Sequence, residues 1–140
     1  MEVNLLAVVV AAIVKFAIGA VWFTALFGQQ WRSLLGVPEG APTSGLAQAM
    51  IVQIIGDLIM AYVLARFIVH YGGGIGTGIL VSAMAWLAFV ATIGAGQIFY
   101  EKRKPQIFAI ASGYQLVSMV VMGIILGWWH AGAAVAAPAA

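Results

Sequence analysis

The chain contains no cysteine and little charge: six Lys and Arg, four Asp and Glu, and two His among 140 residues. Charged side chains make up 7% of it, where ordinary soluble domains carry about 25%. So few charges cannot clothe a water-exposed surface, which excludes a soluble enzyme and a disordered tail. The missing cysteines exclude a secreted disulfide scaffold, iron–sulfur clusters, thiolate zinc sites and thiol nucleophiles. Nucleic-acid binding is excluded as well, because it needs a basic face with aromatic or polar readers.

In place of charge stand long apolar runs. Hydrophobic residues make up 64% of the chain, and a bilayer-spanning helix needs about 20 in succession. Four such runs are present, at about 3–27, 45–69, 75–99 and 105–129, followed by an Ala-rich tail over 130–140. The expected fold is an all-α, single-domain bundle of four transmembrane helices with short loops. The punctuation agrees: a loop over 28–43, with Thr43 or Ser44 as a cap for the second span. Tyr71, Gly72, Gly73 and Gly74 form a break, and Pro105 suits a first helical position. The first run reads as a transmembrane helix rather than a cleaved signal peptide. Its length exceeds a signal's apolar core of about 7–15 residues, and Glu2 stands where basic residues would be.

Arg32, Lys102, Arg103 and Lys104 fall in the loops after spans one and three, whereas the opposite side carries Arg66. The positive-inside rule then puts those loops in the cytoplasm of a bacterial cell and both termini outside. Trp31, Tyr71, Tyr100, Trp128 and Trp129 fall at expected interfaces, and the stretch 29–35 has the composition of a surface-lying segment. His70 and His130 end spans two and four and read as solvated interfacial residues. No cofactor or metal is called for, and no catalytic set assembles, so no enzyme activity is expected.

Two charges fall inside spans. Lys15 and Asp57 occupy the middle of the first and second runs, too deep for a lysine to reach the interface. Each costs about 2.5–3.5 kcal/mol to insert alone, so the two are expected to face one another between antiparallel helices. Gln53 precedes Asp57 by one turn and shares its face. Gln115 and Ser118 on span four lie at similar depth, with Ser112, Ser82 and Thr92 nearby. Two readings stay open: an ion, proton or small-solute pathway using Lys15, Gln53, Asp57, Gln115 and Ser118, or a fixed ion pair in a non-transporting accessory protein. Small residues mark helix contacts: Gly123 with Gly127, Ala109 with Gly113, and Gly78 with Ser82. They serve packing within the bundle, and a homo-oligomer in the lipid bilayer is a reasonable expectation.

Several segments also share an order and spacing. They are Gly19-x-x-Trp22-Phe23, Phe27-Gly28-x-x-Trp31, Ala85-Trp86-Leu87-Ala88-Phe89, and Phe99-Tyr100-Glu101 before Pro105. Then come Ser112-Gly113-Tyr114-Gln115-Leu116-Val117-Ser118 and Met122-Gly123-x-x-Leu126-Gly127. Together they resemble the bacterial family called domain of unknown function 1761, across nearly the whole chain. The resemblance implies a small four-helix membrane protein and brings no reaction or substrate. In that pattern a Pro often follows the first-span Trp, and an acidic residue often precedes Gly-Tyr in span four. Here those places read Thr24-Ala25 and Ala111-Ser112, and Lys15 and Asp57 lie outside the shared motifs.

Overall fold

The computed structural model describes residues 3–36 and 45–131. Helix α1, Leu5–Val21, starts on Asn4, whose side-chain oxygen accepts from the N–H groups of Leu6 (2.9 Å) and Ala7 (3.3 Å). That satisfies two of the donors a helix start leaves free. The span continues as a π-helical segment, Trp22–Leu26, closed by Phe27 N–H on the Trp22 carbonyl at 2.9 Å. Helix α2, Gly28–Leu35, follows and ends on Gly36 in the left-handed region at φ 72°. The loop expected over 28–43 therefore begins with two turns of helix. Trp31, Leu34 and Leu35 alternating with Gln29, Gln30 and Arg32 give that helix one apolar side and one polar side.

Helix α3 is Leu46–His70, preceded by Gly45 at φ 83°; the caps expected at Thr43 and Ser44 lie outside the described residues. Gly72, Gly73 and Gly74 all take positive φ and turn the chain into α4, Ile75–Ala85. A second π-helical segment, Trp86–Ala91, interrupts the third span before α5, Thr92–Tyr100. Pro105 opens α6, Pro105–Trp129, where its missing N–H costs nothing. Of the tail expected over 130–140, His130 and Ala131 are described, and both lie in a turn.

Leu5–Leu26, Leu46–His70, Ile75–Tyr100 and Pro105–Trp129 are long and apolar enough to cross a membrane. The fold is thus an all-α bundle of four membrane-spanning helices. The fourth span is its axis: 44% of its most apolar stretch is buried, against 28%, 28% and 11% for the others.

The bundle is tightest at the end where the first and last described residues meet. There the Gly74 N–H donates to the Gly127 carbonyl, a backbone bond of 2.9 Å between neighbouring spans. A Cβ on Gly78 would overlap the Gly123 carbonyl, and one on Gly123 would strike Ser82 Oγ. Glycine is required at this crossing because backbone meets backbone. Ala7, Ala11 and Ala12 of α1 pack with Ala61, Leu64 and Ala65 of α3 in the same half. Toward the opposite end, which carries Lys102, Arg103 and Lys104, residues 46–56 of α3 are all exposed except Ile54. The expected pairing of Ala109 with Gly113 splits. Gly113 lies against the Trp22 ring, whereas Ala109 is exposed. At the level of Ala109 the first span has already turned into α2, whose Gln29 and Ser33 share a shallow cleft with it.

Candidate functional site

Lys15 and Asp57 meet where the tight half of the bundle ends. The Lys15 ammonium donates to Asp57 Oδ1 at 2.8 Å, with side-chain exposures of 0% and 1%. It also donates to the Tyr114 hydroxyl at 2.9 Å and lies 4.6 Å from the centre of that ring. The tyrosine hydroxyl in turn donates to the Lys15 carbonyl at 3.3 Å. One lysine thereby ties α1 to both α3 and α6. Such a pair holds its charges only with good geometry and further hydrogen bonds, because desolvating each ion costs several kcal/mol. Gln53 supplies one such bond, its amide donating to Asp57 Oδ1 at 2.8 Å. Asp57 Oδ2 is buried without a hydrogen-bond partner.

The sequence fixes Tyr114 in place from two sides. Gly19 leaves room for it, since a Cβ there would sit 3.0 Å from the hydroxyl. The Phe23 ring meets it nearly edge-on at 5.2 Å. The structure brings together Lys15, Gln53 and Asp57 from the sequence-derived set, but not Gln115 or Ser118. Gln115 follows Tyr114 on α6 and is turned about 100° away, into a separate cleft against the third span. Ser118 is fully buried and donates to the Gln115 carbonyl at 3.3 Å. Tyr114 takes the position expected of Gln115. Its hydroxyl and its mid-depth place on α6 are the signals the sequence carries for it.

Two further groups tie the spans to α6. The indole N–H of Trp22 donates to the Ile110 carbonyl (3.0 Å) and that of Trp86 to the Ser112 carbonyl (2.9 Å). Each tryptophan opens a π-helical segment. Near both segments Thr24 and Thr92 donate their hydroxyls to the carbonyls one turn back, those of Ala20 and Ala88.

The expectation of two solvated histidines holds for His70, which is exposed beside Tyr71. It fails for His130, which is 8% exposed. His130 Nε2 accepts the Asn4 N–H at 2.9 Å while Nδ1 lies 2.7 Å from the Leu126 carbonyl. A carbonyl can only accept, so this geometry requires the neutral ring with its proton on Nδ1. The two histidines are on different turns, and no cluster of three metal-ligating side chains occurs among the described residues.

The family described as protein of unknown function (DUF1761) matches residues 6–127, and the chain belongs to it. No curated protein and no solved structure matches the chain. The residues on which the resemblance rests have physical places in the bundle. Trp22, Trp86, Gly113, Tyr114, Gly123 and Gly127 lie at contacts between α6 and the first and third spans.

Proposed function

For this member of a family without an assigned reaction, we propose a non-transporting accessory role in the membrane, with no catalysed reaction. In this reading Lys15, Asp57 and Tyr114 lock three helices at the bilayer centre. The observation that carries it is the burial of the pair, at 0% and 1% exposure, with the lysine ammonium held by both Asp57 and Tyr114. A conducting site needs its charges to meet water or a passing ion. The exposed half of α3, with Gln53 at its inner edge, supports association with a second copy or a neighbouring membrane protein. The basic residues at one end support a bacterial cytoplasmic membrane location with that end inside and both termini outside.

Transport of a proton or small ion is the second reading, favoured by the unpartnered Asp57 Oδ2. Proton and cation flux into proteoliposomes decides between them. Wild type and Asp57→Asn are expected to match protein-free vesicles. Flux present in wild type and lost in Asp57→Asn would move the assignment to transport.

A further inference from the structure

The half of α3 that precedes Asp57 stands away from the rest of the bundle. Residues 46–56 are all exposed except Ile54, among them Leu46, Met50, Ile51, Val52 and Ile55. Most of that surface is apolar and suits lipid. Gln53 does not. It lies about five residues from the middle of Leu46–His70, or about 7.5 Å at 1.5 Å per residue. That depth is inside a hydrocarbon core about 30 Å thick.

The contact with Asp57 fixes which groups of this amide are spent. Asp57 is ion-paired with Lys15, and a carboxylate only accepts, so the atom of Gln53 turned to it at 2.8 Å is the nitrogen. One N–H of the amide is thus bonded. The second N–H and the carbonyl oxygen meet no hydrogen-bond partner among the described residues, and Gln53 is exposed, so they can be met from outside the chain. Acyl chains offer neither a donor nor an acceptor, and polar groups left unbonded in hydrocarbon are costly. A partner has to supply one of each at this depth.

Two copies of one chain insert with the same orientation, so a twofold axis along the membrane normal brings identical residues to equal depth. A group on such an axis has to complement itself. A carboxylate or an ammonium cannot, whereas a primary amide can, each N–H donating to the other's carbonyl. Ala49 precedes Gln53 by one turn on the same face. Being small and exposed, it lets a second helix come close. We propose that the chain forms a parallel homodimer through residues 46–56 of α3, with Gln53 hydrogen-bonded to Gln53 of the partner subunit across the twofold axis. The proposal rests on the accessory reading above and names its associated protein as a second copy.

The test uses the full chain in phosphatidylcholine vesicles. The protein has no cysteine of its own, so Lys102→Cys carries one dye per chain. Energy transfer between donor- and acceptor-labelled chains is then followed on dilution with lipid. Wild type is expected to show transfer that falls as a monomer–dimer equilibrium requires. Gln53→Leu should weaken the dimer about tenfold. Ala49→Trp places its ring outside the single chain and should abolish transfer, and it carries the test if the leucine variant does not fold. Single cysteines locate the face. Ala49→Cys should cross-link between copies on oxidation with copper phenanthroline, and Ile51→Cys, about 160° around the helix, should not. A protein monomeric at every dilution, a dimer as strong with Gln53→Leu as in wild type, a dimer that survives Ala49→Trp, or Ile51→Cys cross-linking as fully as Ala49→Cys overturns the proposal. The accessory reading falls separately, to proton or cation flux, and a monomer without flux would leave it standing with a different protein as partner.

Discussion

A single charge at the centre of a bilayer and an opposed pair at the same depth differ in what their removal does. With Asp57 gone, Lys15 keeps the Tyr114 hydroxyl and loses its counter-charge. Asp57→Leu alone should therefore destabilise the fold by about 3–5 kcal/mol, whereas Lys15→Met with Asp57→Leu should come close to wild type. Unfolding titrations in mixed micelles, run as a double-mutant cycle, measure the difference. A double variant as unstable as the single one would show that the pair acts through something other than its charges. The depth of the two residues was legible from counting along their spans, and so was Gln53, one turn from Asp57. Tyr114 was not, because the side of α6 that faces α1 depends on how three helices are rotated about one another.

At the scale of helices, glycine has two uses here that sequence treats alike. Gly78 and Gly123 sit where two backbones touch, while Gly56 has open space around its missing side chain. Gly78→Ala should cost about 1–3 kcal/mol through overpacking. Gly56→Ala should be neutral or stabilising by a few tenths of a kcal/mol, since alanine is the better helix former. Thermal unfolding of the two variants in one detergent checks the contrast, and equal effects would contradict the crossing described. The spacing of Gly123 and Gly127 pointed to close packing, and Pro105 marked the start of the last helix. The identical spacing of Ala109 and Gly113 misled, because a small-residue pattern carries no information about whether a neighbour is present at that level. The π-helical segments also lie beyond pattern reading, since one extra residue in a turn leaves apolar periodicity nearly unchanged.

Across the whole molecule, the two ends of the described chain are joined. The backbone N–H of Asn4 donates to the His130 ring, and the same Asn4 caps α1 with its side chain. His130→Phe keeps the ring volume and removes the acceptor, so about 1–3 kcal/mol is at stake if the Asn4 N–H stays buried without a partner. The expected result is faster amide hydrogen exchange over the first turn of α1, read by mass spectrometry, with little change in α3. Unchanged exchange there would place the anchoring of α1 elsewhere, in its packing on α3 and α6.

The scarcity of charge and the four apolar runs determined by themselves that this chain folds as membrane-spanning helices. Backbone groups in hydrocarbon must be bonded internally, and helices of this length satisfy that requirement without reference to tertiary contacts. The same scarcity singled out Lys15 and Asp57, because ten charged residues leave few to account for. Only the tertiary structure decided that Lys15 shares its charge with Tyr114, that Gln115 turns away into a cleft, and that one half of the bundle closes while the other spreads. Those outcomes depend on helix rotation and crossing. They are set by which small residues let two backbones touch, and a one-dimensional pattern of polarity does not encode that choice.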